Sequence, residues 1–381
     1  MKKTLVILTV LLCATPMIYA QADGNAAIES SDVAMTSNSA VKGYVIASGS
    51  CGKNVNYELY DDYTLRIFGK GAMYNYNYIY TPQRMYSDAP WSSWDSKIKS
   101  VVIEDGVTRI GADTFCFFSS LTEVNIPNTV TSIGREAFRD CTALKKIDIP
   151  NSVTSIGAYA FWHCGSLAEV NIPDDIETID EGVFCECSSL AHIDIPNSVT
   201  SIGRFAFGYC SSLTEIIIPD SVTSIGECAF GWCDNLKYVK IGKGVTVIDD
   251  MAFFNDYTNR KIEIEIAAET HVTLLDGRVF VYDHHESCTS DTFGFSNSNP
   301  ENITIYVPDT MLNDYRNSED WSYYKDRLYG YSSTGIRPVG NGLSAMKADV
   351  VYDLQGRRVT EMQPDRIYIV NGKKVVSKFR D

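Results

Sequence analysis

Residues 144–166, LKKIDIPNSVTSIGAYAFWHCGS, carry in one stretch nearly every feature that decides the architecture. Lys146-Ile147-Asp148-Ile149 alternates polar and apolar, which predicts a short strand with the isoleucines inward and Lys146 and Asp148 outward. Pro150 ends that strand by denying it a ladder donor, and Asn151 favours the turn that follows. A second extended piece, Val153 to Ile156, sends Val153 and Ile156 into a core, and Gly157 permits the bend after it. Ala160, Phe161 and Cys164 share the spacing of one helical turn, which predicts a short helix or 3₁₀ turn behind the strands.

The same pattern returns on both sides. Leu121, Leu144, Leu167, Leu190, Leu213 and Leu236 fall at an unbroken spacing of 23 residues, and with Ile98 opening the first copy they define seven units from 98 to 258. A period in the twenties means a solenoid, because a unit that small cannot bury its own apolar face and must stack on its neighbours. Stacking predicts an internal column of Phe115, Phe138, Phe161, Phe184, Phe207, Phe230 and Phe253 beside a column of isoleucines from Ile110 to Ile248. These repeated residues read as core.

The chain has 381 residues and 45% hydrophobic content, ample for a core. Its N-terminus combines Lys2 and Lys3, an apolar run from Leu5 to Leu12, and Ile18-Tyr19-Ala20, which fits a secretory signal cleaved after Ala20. No later segment is apolar for long enough to span a bilayer. The formal charge of −15 carries no basic run, so nucleic acid and anionic lipid are poor partners. Cys141, Cys164, Cys187, Cys210 and Cys233 occupy one position of consecutive units, so they form a line with about 5 Å between rungs. A line favours reduced core cysteines over rung-to-rung disulfides, and disfavours a metal site, whose ligands must converge.

The pattern IPNSVTSIGAYAFWHC, repeated with small variation, resembles the leucine-rich-repeat type 5 family of BspA-like surface proteins of Bacteroidales and other host-associated microbes. Residues 48–72 resemble the strand-rich segment that caps the first rung in those proteins. Residues 303–329 resemble their closing rung and helix, with Val307-Pro308, Tyr315 and Trp321 as landmarks. The last forty residues, with Val351-Tyr352-Asp353-Leu354-Gln355-Gly356 and Ile367-Tyr368-Ile369-Val370-Asn371-Gly372, are similar to a type IX secretion sorting signal. The expected fold is therefore an α/β solenoid, a leucine-rich-repeat-like right-handed stack of 23-residue strand-turn-helix/3₁₀ rungs with an N-terminal β cap and a small C-terminal β segment. The expected organisation is a signal peptide (1–20), a disordered linker (21–42), the cap (43–97), seven repeats (98–258), irregular and closing rungs with the C-terminal cap (259–332), a linker (333–346) and the β segment (347–381).

No catalytic constellation stands out: the five histidines belong to no HExxH, GxSxG or phosphate-loop pattern. Asp283-His284-His285-Glu286 with Cys288 is the densest polar cluster, and a solvated loop explains it as well as a metal site does. No metal or cofactor is expected. The informative positions are those that vary from rung to rung. Phe117, Tyr159, Trp162, His163, Phe205, Tyr209 and Trp232 flank the core Phe and Cys, where large aromatics supply binding anchors or simply pack the back of the rung. Tyr159, Trp162, His163, Phe205, Tyr209 and Trp232 are the candidate ligand-binding residues. A second candidate surface is the outward strand face, with Glu123, Asn125, Lys146, Asp148, Glu169, Asn171, His192, Asp194, Glu215, Tyr238 and Lys240. Tyr74, Tyr76, Tyr78 and Tyr80 would share one face if their segment is a strand.

The resemblance implies adhesion. The reading is a non-enzymatic, exported or cell-surface binding protein that engages a host extracellular-matrix or cell-surface protein, and a monomer, since distinct caps hide the terminal rungs. The alternative is a glycan-binding accessory protein that uses the exposed aromatics.

Overall fold

Ile147 and Ile149 are buried while Lys146 and Asp148 face solvent, so the alternation in the sequence is the alternation of the pleat. The structure, a computed structural model, describes residues 43–254, 261–275 and 303–331 and the backbone of five short strands between 337 and 377. All of these fall in one compact unit, Lys42–Asp381. The rungs stack into a β-solenoid of about nine turns. On one side, Ile110, Ile133 and Ile156 are parallel partners in successive rungs, and Ile179, Ile202, Ile225 and Ile248 continue the column. On another, Glu215–Ile218, Tyr238–Ile241, Ile262–Ile266, Ile303–Pro308 and Leu328–Tyr331 form one parallel sheet.

The expectation of a helix behind each rung is wrong, and with it the α/β label. Helix is only 6% of the structure, confined among the described residues to Leu312–Asn317 and to 3₁₀ turns at Ser92–Trp94 and Ser322–Arg327. Behind the strands the chain instead makes three consecutive hydrogen-bonded turns. In the quoted unit, Ala160 N–H donates to Gly157 O (3.2 Å), Trp162 to Tyr159 O (3.0 Å) and Cys164 to Phe161 O (3.3 Å). The alternate amides point along the stack: Tyr159 N–H donates to Glu181 O (2.8 Å), Phe161 to Val183 O (2.9 Å) and His163 to Cys185 O (2.9 Å). Tyr159 and His163 sit at φ 60° and 58°, the left-handed third position of a type II turn. The same two positions are left-handed in neighbouring rungs, at Glu136 and Asp140 and at Phe205 and Tyr209. A helix would turn every amide along the chain and leave none for the next rung.

This turn ladder fixes the rung spacing, and the core columns follow it. The Phe138, Phe161 and Phe184 rings stack at 5.4 and 5.6 Å, within 1° and 6° of parallel. Each column cysteine donates its S–H to the carbonyl of a core Phe in the preceding rung, from Cys141 to Phe115 (3.3 Å) through Cys233 to Phe207 (3.2 Å). None of the described cysteines is in a disulfide. Burial pushes the Cys164 thiol up to about 12 and the Cys187 and Cys210 thiols well above the usual range.

Both ends of the stack close with a buried tryptophan. The antiparallel strands Val45–Ser50, Val55–Tyr60 and Thr64–Gly69 change to parallel pairing where Thr64–Gly69 meets Ser100–Ile103. Trp91 stacks on Phe115 at 5.9 Å and donates Nε1–H to Thr114 O (2.8 Å). At the other end Trp321 donates to Val272 O (2.8 Å), while Tyr315 Oη lies between Thr270 O and Val272 N (each 3.2 Å). Further on, strands Arg337–Val339, Lys373–Ser377, Ile367–Val370, Val351–Tyr352 and Arg358–Val359 order into one sheet. The signal-like residues 1–20, residues 21–42 and the 283–288 cluster lie outside the described residues.

Two outcomes follow. Phe161→Ala should lower stability by about 3–5 kcal/mol in chemical denaturation, because rings stacked on both sides prevent collapse into the cavity. The column thiols should resist a thiol reagent at pH 8 until denaturant unfolds the chain; rapid labelling of the native protein would refute the packed column.

Candidate functional site

The left-handed positions place three side chains of each rung on the back of the solenoid, two residues before, one after and two after the core Phe. All six candidate residues occupy these positions, and none is fully buried. They do not form one site. Phe205, Tyr209 and Trp232 make one cluster: Tyr209 and Trp232 stack at 4.7 Å, 3° from parallel, and Phe205 lies 6.2 Å from Trp232. Phe254 closes the other side of Trp232 edge-on at 4.9 Å. Tyr159 and Trp162 make the second, 5.3 Å apart. Left-handed Gly182 (φ 61°) carries the Tyr159 ring, since a Cβ there would lie 2.3 Å from it.

Sequence reasoning missed the residue that organises the second cluster. The Arg139 guanidinium lies 4.2 Å from the Trp162 ring centre, 5.0 Å from Tyr78 and 5.5 Å from Phe117. It also pairs with Glu136 (2.7 Å) and Asp140 (3.1 Å). Trp162 Nε1–H donates to Glu186 (3.1 Å), and His163 Nδ1 meets Asp140. Arg135 and Arg204 repeat the arrangement over Tyr159 and Phe205. The signal was available: each of these arginines lies within four residues of a core Phe. Exposure is modest. Tyr209 is 41% exposed and His163 is exposed, but the other four are half-buried. The tyrosine run does not share one face either: Tyr76 packs on Trp91 and Tyr78 on Phe117, whereas Tyr74 and Tyr80 are exposed.

A face of Trp162 is therefore covered by Arg139, and Tyr209 and Trp232 cover a face of each other. Sugar capture by stacking needs an open face, so this geometry suits cohesion of the rungs better than a glycan platform. The strand face differs. Its carboxylates stand free of the core, with Asp148 82%, Glu169 72% and Asp194 94% exposed; Lys146 pairs with Asp148 and Glu169 at 3.4 and 3.7 Å, His192 meets Asp194 at 3.1 Å, and Lys240 pairs with Glu265 at 3.7 Å. Among the described residues no group of His, Cys, Asp and Glu converges as a metal site would require.

Asp113, under the Arg139 cluster, is 9% exposed and its Oδ1 has no hydrogen-bond partner. Burial, then the Glu136 charge, pushes its carboxyl up to about 6, against the pull of Arg135 and Arg139. A carboxyl raised on folding stabilises the fold below its unfolded value, and that contribution is lost as pH rises through about 6. Asp113→Asn should therefore raise the melting temperature at pH 7.5 and flatten the change in stability between pH 4 and 6.5. A variant with an unaltered pH profile would contradict the assignment.

No curated protein matches the chain. Among solved structures it is similar to a leucine-rich repeat protein from Eubacterium ventriosum, with 22% identity, coverage of 77% of this chain and 87% of that one, and a TM-score of 0.41. It is similar to the T. pallidum leucine-rich repeat protein at 27% identity, with coverage of 50% and 83% and a TM-score of 0.34. It is also similar to a leucine-rich cell surface protein from Faecalibacterium prausnitzii at 23% identity, with coverage of 58% and 89% and a TM-score of 0.24. The family described as BspA type leucine rich repeat region matches residues 93–212, 154–287 and 200–310, in six copies. This matched span is more than half of the sequence and contains the 23-residue pattern and the turn ladder, and the chain belongs to the BspA-type leucine-rich repeat family.

Proposed function

We propose that this protein is a non-enzymatic, exported or cell-surface binding protein of adhesin type, which engages a host matrix or other cell-surface macromolecule through its rigid repeat surface. The observation that carries this reading is the division of labour within the rung. Positions that recur are committed to the Phe, Ile and Cys columns and the ladder. Positions that face solvent, such as Glu123, Lys146, Glu169, His192 and Glu215 in one row, change at every step. A solenoid of this kind offers a broad, preorganised surface, which lowers the ordering cost of binding. The family is a repeat family with no catalytic signature, consistent with binding. No helix of the described residues is long and apolar enough to cross a membrane, which agrees with display outside it. The glycan alternative has less support, because the rings it needs are covered by Arg139 or stacked on each other.

The test is a binding array of matrix proteins and polysaccharides probed with residues 21–381, with a parallel triple variant Trp162→Ala, Tyr209→Ala, Trp232→Ala. The expected result is a protein hit that weakens as salt rises and survives the variant wherever the variant stays folded. Glycan binding lost in a folded variant would replace the leading reading with the alternative.

A further inference from the structure

The rung from Pro173 to Asp180 departs from its neighbours. Where the preceding rung reads PNSVTSIG it reads PDDIETID, placing Asp174, Asp175, Glu177 and Asp180 at turn and strand positions that hold Asn151, Ser152, Thr154 and Gly157 one rung earlier. It is also the centre of a long stretch of one sign. Between Lys146 and Arg204 the chain has no lysine or arginine, but it has Asp148, Glu169, Asp174, Asp175, Glu177, Asp180, Glu181, Glu186 and Asp194.

At this rung the side ladder opens. Elsewhere on this face the threonine amides step regularly from rung to rung: Thr154 N–H donates to Thr131 O (2.9 Å), Thr200 to Glu177 O (2.8 Å) and Thr223 to Thr200 O (2.8 Å). The next position does the same, with Gly157 N–H to Ile133 O (2.9 Å) and Gly203 to Ile179 O (2.7 Å). Among the described residues no such bond joins Glu177 N–H to Thr154 O, or Asp180 N–H to Ile156 O. Ser155–Ile156 is accordingly the last strand of one sheet and Thr178–Ile179 the first of another.

The glycine column explains part of the opening. A Cβ on Gly157 would lie 2.6 Å from Arg135 N, and one on Gly203 2.8 Å from the Asp180 carbonyl carbon, so close stacking at this position excludes a side chain. Asp249 occupies the same position with its N–H still bonded to Ile225 O (2.9 Å), so a Cβ alone does not part the rungs. In the open rung Asp180 is joined by Asp175 and Glu177, and closing the seam against the neutral Thr154, Ser155 and Ile156 would strip water from these carboxylates without giving them a counter-charge. The result is a shallow cleft of about 540 Å³ lined by Thr154, Ser155, Ile156, Asp175, Glu177, Thr178 and Asp180. Burial raises the Asp180 carboxyl.

We propose that this seam is a docking cleft for an arginine side chain on a basic segment of a partner protein; the proposal rests on the binding-protein reading above and gives it a surface. Three carboxylates supply charge, and the Thr154 and Ile156 carbonyls, which receive no amide from the next rung, add neutral acceptors at its wall. A guanidinium presents five N–H donors in a planar fork and matches such an acceptor-rich slot, whereas a metal ion needs convergent ligands that the carboxylates do not offer. The absence of any lysine or arginine from Ile147 to Gly203 leaves the cleft without a competing cation from the same stretch of chain.

The experiment titrates the protein with an oligoarginine peptide and an oligolysine peptide of equal length at physiological salt, read by calorimetry. The key variant is Asp175→Ser, Glu177→Thr, Asp180→Gly, which installs the residues of the preceding rung and should fold at least as stably, checked by thermal melting. The control is Glu169→Gln, Asp194→Asn on the strand face. The expected result is oligoarginine binding stronger than oligolysine binding, weakened about tenfold or more in the cleft variant and little changed in the control. Equal loss in both variants, no loss in the cleft variant, no preference for arginine, or no binding by the unaltered protein would each overturn the proposal. A binding array that stays positive in that event leaves the wider reading standing.

Discussion

Two left-handed residues per rung carry the architecture. Holding a non-glycine residue at positive φ costs about 1–2 kcal/mol, and this chain does so repeatedly with Glu, Asp, Tyr, His, Phe and Trp. The return is geometric. Left-handed third positions let three tight turns follow one another while alternate amides, those of Tyr159, Phe161 and His163 in one rung, reach the next. Each such bond contributes about 0.5–1.5 kcal/mol net and also sets the distance at which phenylalanines stack and cysteine thiols meet carbonyls. The core is thus spaced by its backbone.

That constraint explains what the sequence made legible. Strands, core columns and the reduced cysteine line were readable because a 23-residue period places identical side chains in register, whatever the local backbone does. The turn segment was misread because Ala160, Phe161 and Cys164 have the same inward spacing in a helical turn and in successive tight turns. Gly182 is the one glycine at the position of Tyr159 among the described rungs, and other rungs fill it with Glu, Phe or Cys, so composition gave little warning that Tyr159 and His163 are left-handed. The aromatic candidates were legible as positions flanking the core Phe and Cys. What sequence lacked was the orientation of the rings, set by Arg139 and by stacking of Tyr209 on Trp232 across rungs. The open seam had a written signature, PDDIETID against PNSVTSIG, whose meaning depended on knowing that the glycine column faces backbone.

The division between a fixed scaffold and changing outward positions gives function its room. The back face is knitted together by arginines, carboxylates and rings that satisfy one another. The strand face and the seam hold carboxylates that stand outside the core, such as Asp148, Glu169 and Asp194. A binding role is best sought on those two faces, and their charge favours a cationic partner surface.

Amide hydrogen exchange on the native protein tests the turn ladder most directly. The account predicts that the amides of Phe138, Phe161, Phe184, Phe207 and Phe230 exchange only by global or near-global opening, as slowly as the strand amides of the core, although they lie in turns. Exchange of those amides at the rate of ordinary surface turns would contradict it.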